Sequence, residues 1–132
     1  MDETVFTDAK MDEKVAHGMC LRDEGYNCAQ AVLMPFSPEL GIPADILAII
    51  SSGLGSGVGQ GELCGVANAL AIAEGIIRND SSAEGKKEAM AGARDLCRAF
   101  SSPYEGCVTC KTLKGRWGRT CNQLVAEGIK LI

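Results

Sequence analysis

Aromatic side chains, histidine and long apolar runs are all scarce in this 132-residue sequence. Three Phe, two Tyr and one Trp leave most of the core to aliphatic residues and cysteine. The single histidine, His17, lies in a predicted helix and reads as a surface or partly buried residue, which removes a zinc site of mixed Cys and His. The longest apolar stretch, Ile46 to Ile50, is far too short to span a bilayer, so no membrane insertion is expected. MDETVFTDAKMDEK is acidic and lacks a basic region followed by an apolar core, so it does not read as a secretory signal and the expected location is cytoplasmic. No G-x-G-x-x-G or GK[ST] occurs, and no G-x-S-x-G or H-E-x-x-H, which leaves dinucleotide, P-loop and common hydrolytic chemistry without support.

The chain is 46% apolar and 23% charged, and its length suits one domain over residues 1–132 that buries a real core without crosslinks. A net charge of −4 argues against general nucleic-acid binding. The charge is uneven: residues 1–24 carry seven acids and three bases, whereas residues 106–132 carry five bases and one acid. Seven cysteines is an odd number and too sparse for a disulfide-stapled secreted scaffold, so catalysis, metal binding or core filling remain for them.

Helical periodicity dominates. Thr7 or Asp8 can cap a first helix to about Glu24, with Met11, Val15, Ala16, Met19 and Cys20 on its buried side and Gly25 ending it. Asn27 then precedes Cys28, with Gln30 at the capping-box position. Pro35 and Pro38 end that helix, and Pro43 opens another through Ile50, whose apolar continuity suggests burial on most sides. Ser52 to Leu70 places glycine at 53, 55, 57, 59 and 61, a loop in which backbone can approach another group closely, followed by a helix that begins around Cys64 and ends near Asn79. Ser81 or Ser82 caps a helix from about Ala83 to Phe100, with Ala89, Met90, Ala93, Leu96, Cys97 and Phe100 on one stripe. Thr109 and Thr120 precede Cys110 and Cys121, and the last helix runs to about Leu131. No convincing strand appears. The expected fold is therefore all-α, six or seven short helices with a Gly-rich loop.

The thiols divide by position. Cys28, Cys64, Cys110 and Cys121 each fall in the first turn of a predicted helix, where free N–H groups and the positive end of the helix dipole favour a thiolate or an anionic cluster. Lys111, Lys114, Arg116 and Arg119 add positive charge nearby in sequence. Cys20 and Cys97 lie on apolar stripes and read as small hydrophobes. Cys107 forms a CxxC with Cys110, a spacing shared by oxidoreductases, zinc sites and iron–sulfur sites, which alone selects none of them. A thioredoxin-like reading fails for want of a βαβ pattern. Gly57, Gly59 and Gly61 are assigned to a loop folding over the Cys64 site, and Trp117 reads equally as a partner contact or a cap on the core.

GYNCAQAVL, the Gly-rich approach to CGVANALAIAEG, the C-K-T-L at Cys110 and the final C-N-Q-L-V together resemble a redox-active family named for a C, GCAxxG, C, C signature, over roughly residues 20–130. The resemblance implies four signature cysteines at Cys28, Cys64, Cys110 and Cys121. Val66 stands where the family favours alanine and Ala69 where it favours glycine, departures that bear on packing behind Cys64. A related domain accompanies iron–sulfur chemistry in split-Soret cytochromes, but no C-x-x-C-H for haem attachment occurs here. Three functions follow as expectations: thiol/disulfide chemistry with an unidentified redox partner; an iron–sulfur cluster or metal ion held by the same four cysteines; or a structural or interaction module. A homodimer is compatible with the small size and apolar helices.

Overall fold

A computed structural model describes residues 8–132. Thr7 as a cap therefore lies outside the described residues. Eight α-helices follow in order: α1 (Asp8–Asp23), α2 (Cys28–Leu33), α3 (Ser37–Leu40), α4 (Ala44–Ser51), α5 (Gly65–Arg78), α6 (Gly85–Ser101), α7 (Cys110–Gly115) and α8 (Cys121–Ile129). The described residues contain no strand, only an isolated antiparallel bridge between Leu63 and Thr109. The all-α expectation holds, with one short helix more than foreseen. That addition is α3: Pro38 occupies its first turn, where a missing N–H costs nothing, so the proline starts a helix instead of ending one.

The short α2 is the hub. It packs against α1, α4, α5 and α8, and Ala29, Ala31, Val32 and Leu33 are fully buried. Six residues would not hold a helix in water; tertiary packing supplies what local propensity does not. Small residues allow the close crossings: a Cβ on Gly18 would stand 2.7 Å from Ile129 Cδ1 and 3.0 Å from the Ala31 carbonyl. This contact line explains a departure in α1. Ala16 and Cys20 are exposed, whereas Gly18 and Leu21 are buried with Met11, Val15 and Met19 partly covered, because the helix turns its glycine to its neighbours.

Two other apolar stripes are less covered than their sequence suggests. In α4 only Leu47 and Ser51 are buried, and Ile49 is 68% exposed beside exposed Ile46 and Ile50, because among the described residues α4 packs chiefly on α2 and the 34–36 turn that follows it. In α6, which packs chiefly on α5 alone, Met90 is 68% exposed and the full burial lies at Gly85, Phe100 and Ser101. That helix begins at Gly85, whose N–H donates to Ser82 Oγ at 3.1 Å. Trp117 is half-buried, edge-on to Tyr104 with ring centroids 5.7 Å apart, and so caps the core. His17 is exposed. No described helix is long and apolar enough to cross a membrane.

Candidate functional site

Two capping boxes set two of the thiols. Asn27 Oδ1 accepts from the Gln30 N–H at 2.9 Å while Gln30 Oε1 accepts from the Asn27 N–H at 2.9 Å, and Cys28 is the first residue of the helix so started. Thr120 and Gln123 make the same pair of bonds at 3.1 and 2.9 Å, placing Cys121 first in α8. Asn27 does more than Thr120, because its Nδ2 also donates to the carbonyls of Ser51 and Ser52 and ties the end of α4 to the start of α2. Cys110 is first in α7, behind a Thr109 that makes no side-chain cap. Cys64 is the cap of α5 itself, one residue ahead of the predicted first turn.

The glycine-rich segment closes the distance between the Cys64 and Cys110 helices. Ser56, Gly57, Val58 and Gly59 all have positive φ, a left-handed turn in which Val58, at φ 59°, is β-branched and sterically strained. The chain then returns to pair with the 107–110 loop: the Cys110 N–H donates to the Glu62 carbonyl at 2.6 Å and the Cys64 N–H to the Val108 carbonyl at 2.8 Å. A Cβ on Gly57 would collide with the Glu62 backbone, and one on Gly61 with the Lys111 side chain, whereas Gly59 faces open space. Gly65 abuts the Cys28 sulfur, and a Cβ there would collide with it. Val66 and Ala69 are fully buried, and Val66 fits because Gly128 of α8 leaves room for its Cγ1.

The Gly65 contact with the Cys28 sulfur and the pairing of 62–64 with 108–110 thus bring Cys28, Cys64 and Cys110 to one region. Cys64 feels the Cys28 and Cys110 sulfurs, and Cys110 in turn feels Cys121 and Cys28. Burial pushes the Cys64 thiol up to about 11; the N–H groups of Val66 and Ala67 pull the other way and the neighbouring sulfurs add to the rise. The helix start therefore does not make Cys64 an easy thiolate, contrary to the expectation from its position, because desolvation outweighs the dipole. Burial likewise raises Cys110, opposed by the charge of Lys114. Lys114 is held above the usual lysine range, first by a side-chain hydrogen bond to Cys121 and then by the charges of Cys121, Cys110 and Cys28.

Of the four nearby cations in the sequence, Lys114 is the one shared by these sulfurs. Arg119 pairs with Glu127 and lies over Tyr104, and Arg116 pairs with Glu105 and stacks on Trp117. The signal for Lys114 was present in the chain: Cys110 and Lys114 are four apart and share a helix face. The other three thiols stay apart. Cys20 is exposed on α1, Cys97 Sγ donates to the Ala67 carbonyl at 3.9 Å, and Cys107 Sγ turns to the Thr109 carbonyl at 4.0 Å.

A family model described as "Putative redox-active protein (C_GCAxxG_C_C)" matches residues 26–132. The chain belongs to this family. All four helix-start cysteines lie within the part that the C_GCAxxG_C_C model matches, and Cys20 lies outside it. Comparison with curated proteins and with solved structures returns no significant match. Among the described residues of this C_GCAxxG_C_C chain, no three His, Cys, Asp or Glu side chains are disposed to hold one metal ion.

Proposed function

We propose that the chain is a thiol–disulfide redox protein in which members of the Cys28, Cys64, Cys110 and Cys121 group cycle between dithiol and disulfide against a disulfide-bearing partner in the cytoplasm. The observation that carries this reading is that the contact of Gly65 with the Cys28 sulfur and the backbone pairing of 62–64 with 108–110 bring Cys28, Cys64 and Cys110, far apart in sequence, to one region, within electrostatic reach of Cys121 and the Lys114 ammonium. Packing alone requires neither the convergence nor the cation. All seven cysteines are free thiols in this structure, the reduced form of such a cycle. Formation of one disulfide inside the group releases two electrons and two protons to the partner's disulfide, which leaves as two thiols.

The metal or iron–sulfur alternative uses the same cysteines but lacks a ligand set disposed around one ion. The deciding experiment is stoichiometric oxidation of reduced, anaerobically purified protein, followed by peptide mapping without reduction and by iron, zinc and sulfide analysis. A disulfide within the group of four supports the proposal. Stoichiometric iron and sulfide, or crosslinks confined to Cys20, Cys97 and Cys107, sinks it.

A further inference from the structure

Access to the inner thiols is closed in this structure. Cys28, Cys64 and Cys110 are 5%, 3% and 7% exposed, too enclosed to meet a partner's disulfide. One segment reaches the surroundings of all three. At its start, a Cβ on Gly55 would stand 2.6 Å from Asn27 Cβ, and the Leu54 carbonyl lies 3.0 Å from the Cβ position of Gly65, the residue against the Cys28 sulfur. At its end the Lys111 side chain lies across Gly61, and the Glu62 carbonyl accepts from the Cys110 N–H at 2.6 Å. Between these seats the chain is poorly held. Ser56 and Val58 have φ of 53° and 59°, a left-handed conformation that L-residues disfavour and β-branched ones most of all. Val58 is 48% exposed, so little burial offsets its strain. Two of the segment's internal bonds are long, 3.4 Å from the Val58 N–H to the Leu54 carbonyl and 3.2 Å from the Glu62 N–H to the Gly57 carbonyl.

We infer that residues 55–61 form a strained lid that closes off Cys64 and Cys110 and swings out on its seats at Leu54 and Glu62 to admit the partner. This rests on the thiol–disulfide reading above for its purpose, while the motion itself is measured without it. The left-handed turn at Ser56 and Val58 narrows the free-energy gap between closed and open states, because both residues relax to ordinary φ once the turn comes undone. Local openings of this kind govern reagent access while the surrounding helices stay folded. Packing favours closure: Gly57 lies on the Glu62 backbone with no room for a Cβ, and Gly61 leaves space for the Lys111 stem. Strain and packing therefore oppose each other within one short segment, which keeps the closed state populated and the open one within reach.

The test follows alkylation of the reduced full-length protein by iodoacetamide, a small neutral reagent, with each cysteine read by peptide mapping. Exposed Cys20 and half-buried Cys97 serve as internal references. Val58→Asn keeps the left-handed turn with a side chain that tolerates it, and should slow alkylation of Cys64 and Cys110 roughly three- to tenfold. Gly59→Ala puts a Cβ into open space at φ 70°, adds strain without a clash, and should speed both by about the same factor. Gly53→Ala, which meets neither a neighbour nor a positive φ, should change neither. All three variants should keep the wild-type helical circular dichroism and the wild-type rates at Cys20 and Cys97. Rates at Cys64 and Cys110 that ignore Val58→Asn and Gly59→Ala, or that move together with Cys97, overturn the lid. Glutathione disulfide as oxidant separates the two readings. Disulfide formation within the group of four that follows the same order of variants supports both, whereas lid-dependent alkylation with no disulfide keeps the lid and sinks the thiol–disulfide reading.

Discussion

Cys64 and Cys121 both stand at helix starts, and their surroundings differ in almost every other respect. Cys64 is enclosed between the Gly65 backbone, the Cys28 sulfur and the 107–110 loop, and burial raises its thiol to about 11. Cys121 is only partly covered and has an ammonium group beside it. Local chemistry at a helix N-terminus is thus a small effect that burial can reverse.

The largest way to break the contrast is at the inner end. Gly65→Ala would drive a methyl into the Cys28 sulfur and to 3.0 Å from the Leu54 carbonyl, and is expected to cost about 1–3 kcal/mol in urea unfolding. At the outer end Gly115, with open space around its Cβ position at the close of α7, should accept alanine with no loss of stability.

The raised Cys64 thiol makes a second prediction. The folded protein holds this proton more tightly than the unfolded chain, whose value is near 9.0, so its contribution is complete below about pH 9 and is lost as pH climbs toward 11. Urea midpoints should fall over that window by an amount worth roughly 2 kcal/mol, and Cys64→Ala should flatten the fall. A pH dependence unchanged by Cys64→Ala would show that burial does not govern this thiol.

The two capping boxes give a smaller, sharper comparison. Thr120→Ala should lower stability by about 0.5–1 kcal/mol, and Asn27→Ala by about 1–2 kcal/mol, because Asn27 also holds the carbonyls of Ser51 and Ser52. Equal losses would deny that the Asn27 bridge to α4 matters. Smallest of all, Cys20→Ser on the open face of α1 should shift the midpoint by less than about 0.5 kcal/mol.

Much of the fold was legible because its signals are local. Asn27 with Gln30 and Thr120 with Gln123 announce helix starts that form as read, and Asn79 closes α5 in the left-handed conformation near the expected end. Burial was less legible. Ile46, Ile49 and Ile50 look like core and are exposed, Met90 likewise, and Cys20 gives way to Gly18 on α1, because periodicity identifies an apolar face without showing whether another element covers it.

The candidate site divides in the same manner. By itself the sequence determined where Cys28 and Cys121 stand, since a cap and the first residue of a helix are settled within four residues of chain, whereas Cys110 follows a Thr109 that makes no side-chain cap and is held by its N–H bond to the Glu62 carbonyl. Only the tertiary structure decided that Cys28 and Cys110 meet Cys64, that Cys107 does not join them, and that Arg116 and Arg119 are taken by Glu105 and Glu127. The physical reason is range. Capping acts over neighbouring residues, whereas desolvation and charge pairing depend on which distant segments the fold packs together, and here the Leu63–Thr109 bridge and the crossings at Gly18, Gly65 and Gly128 make that choice.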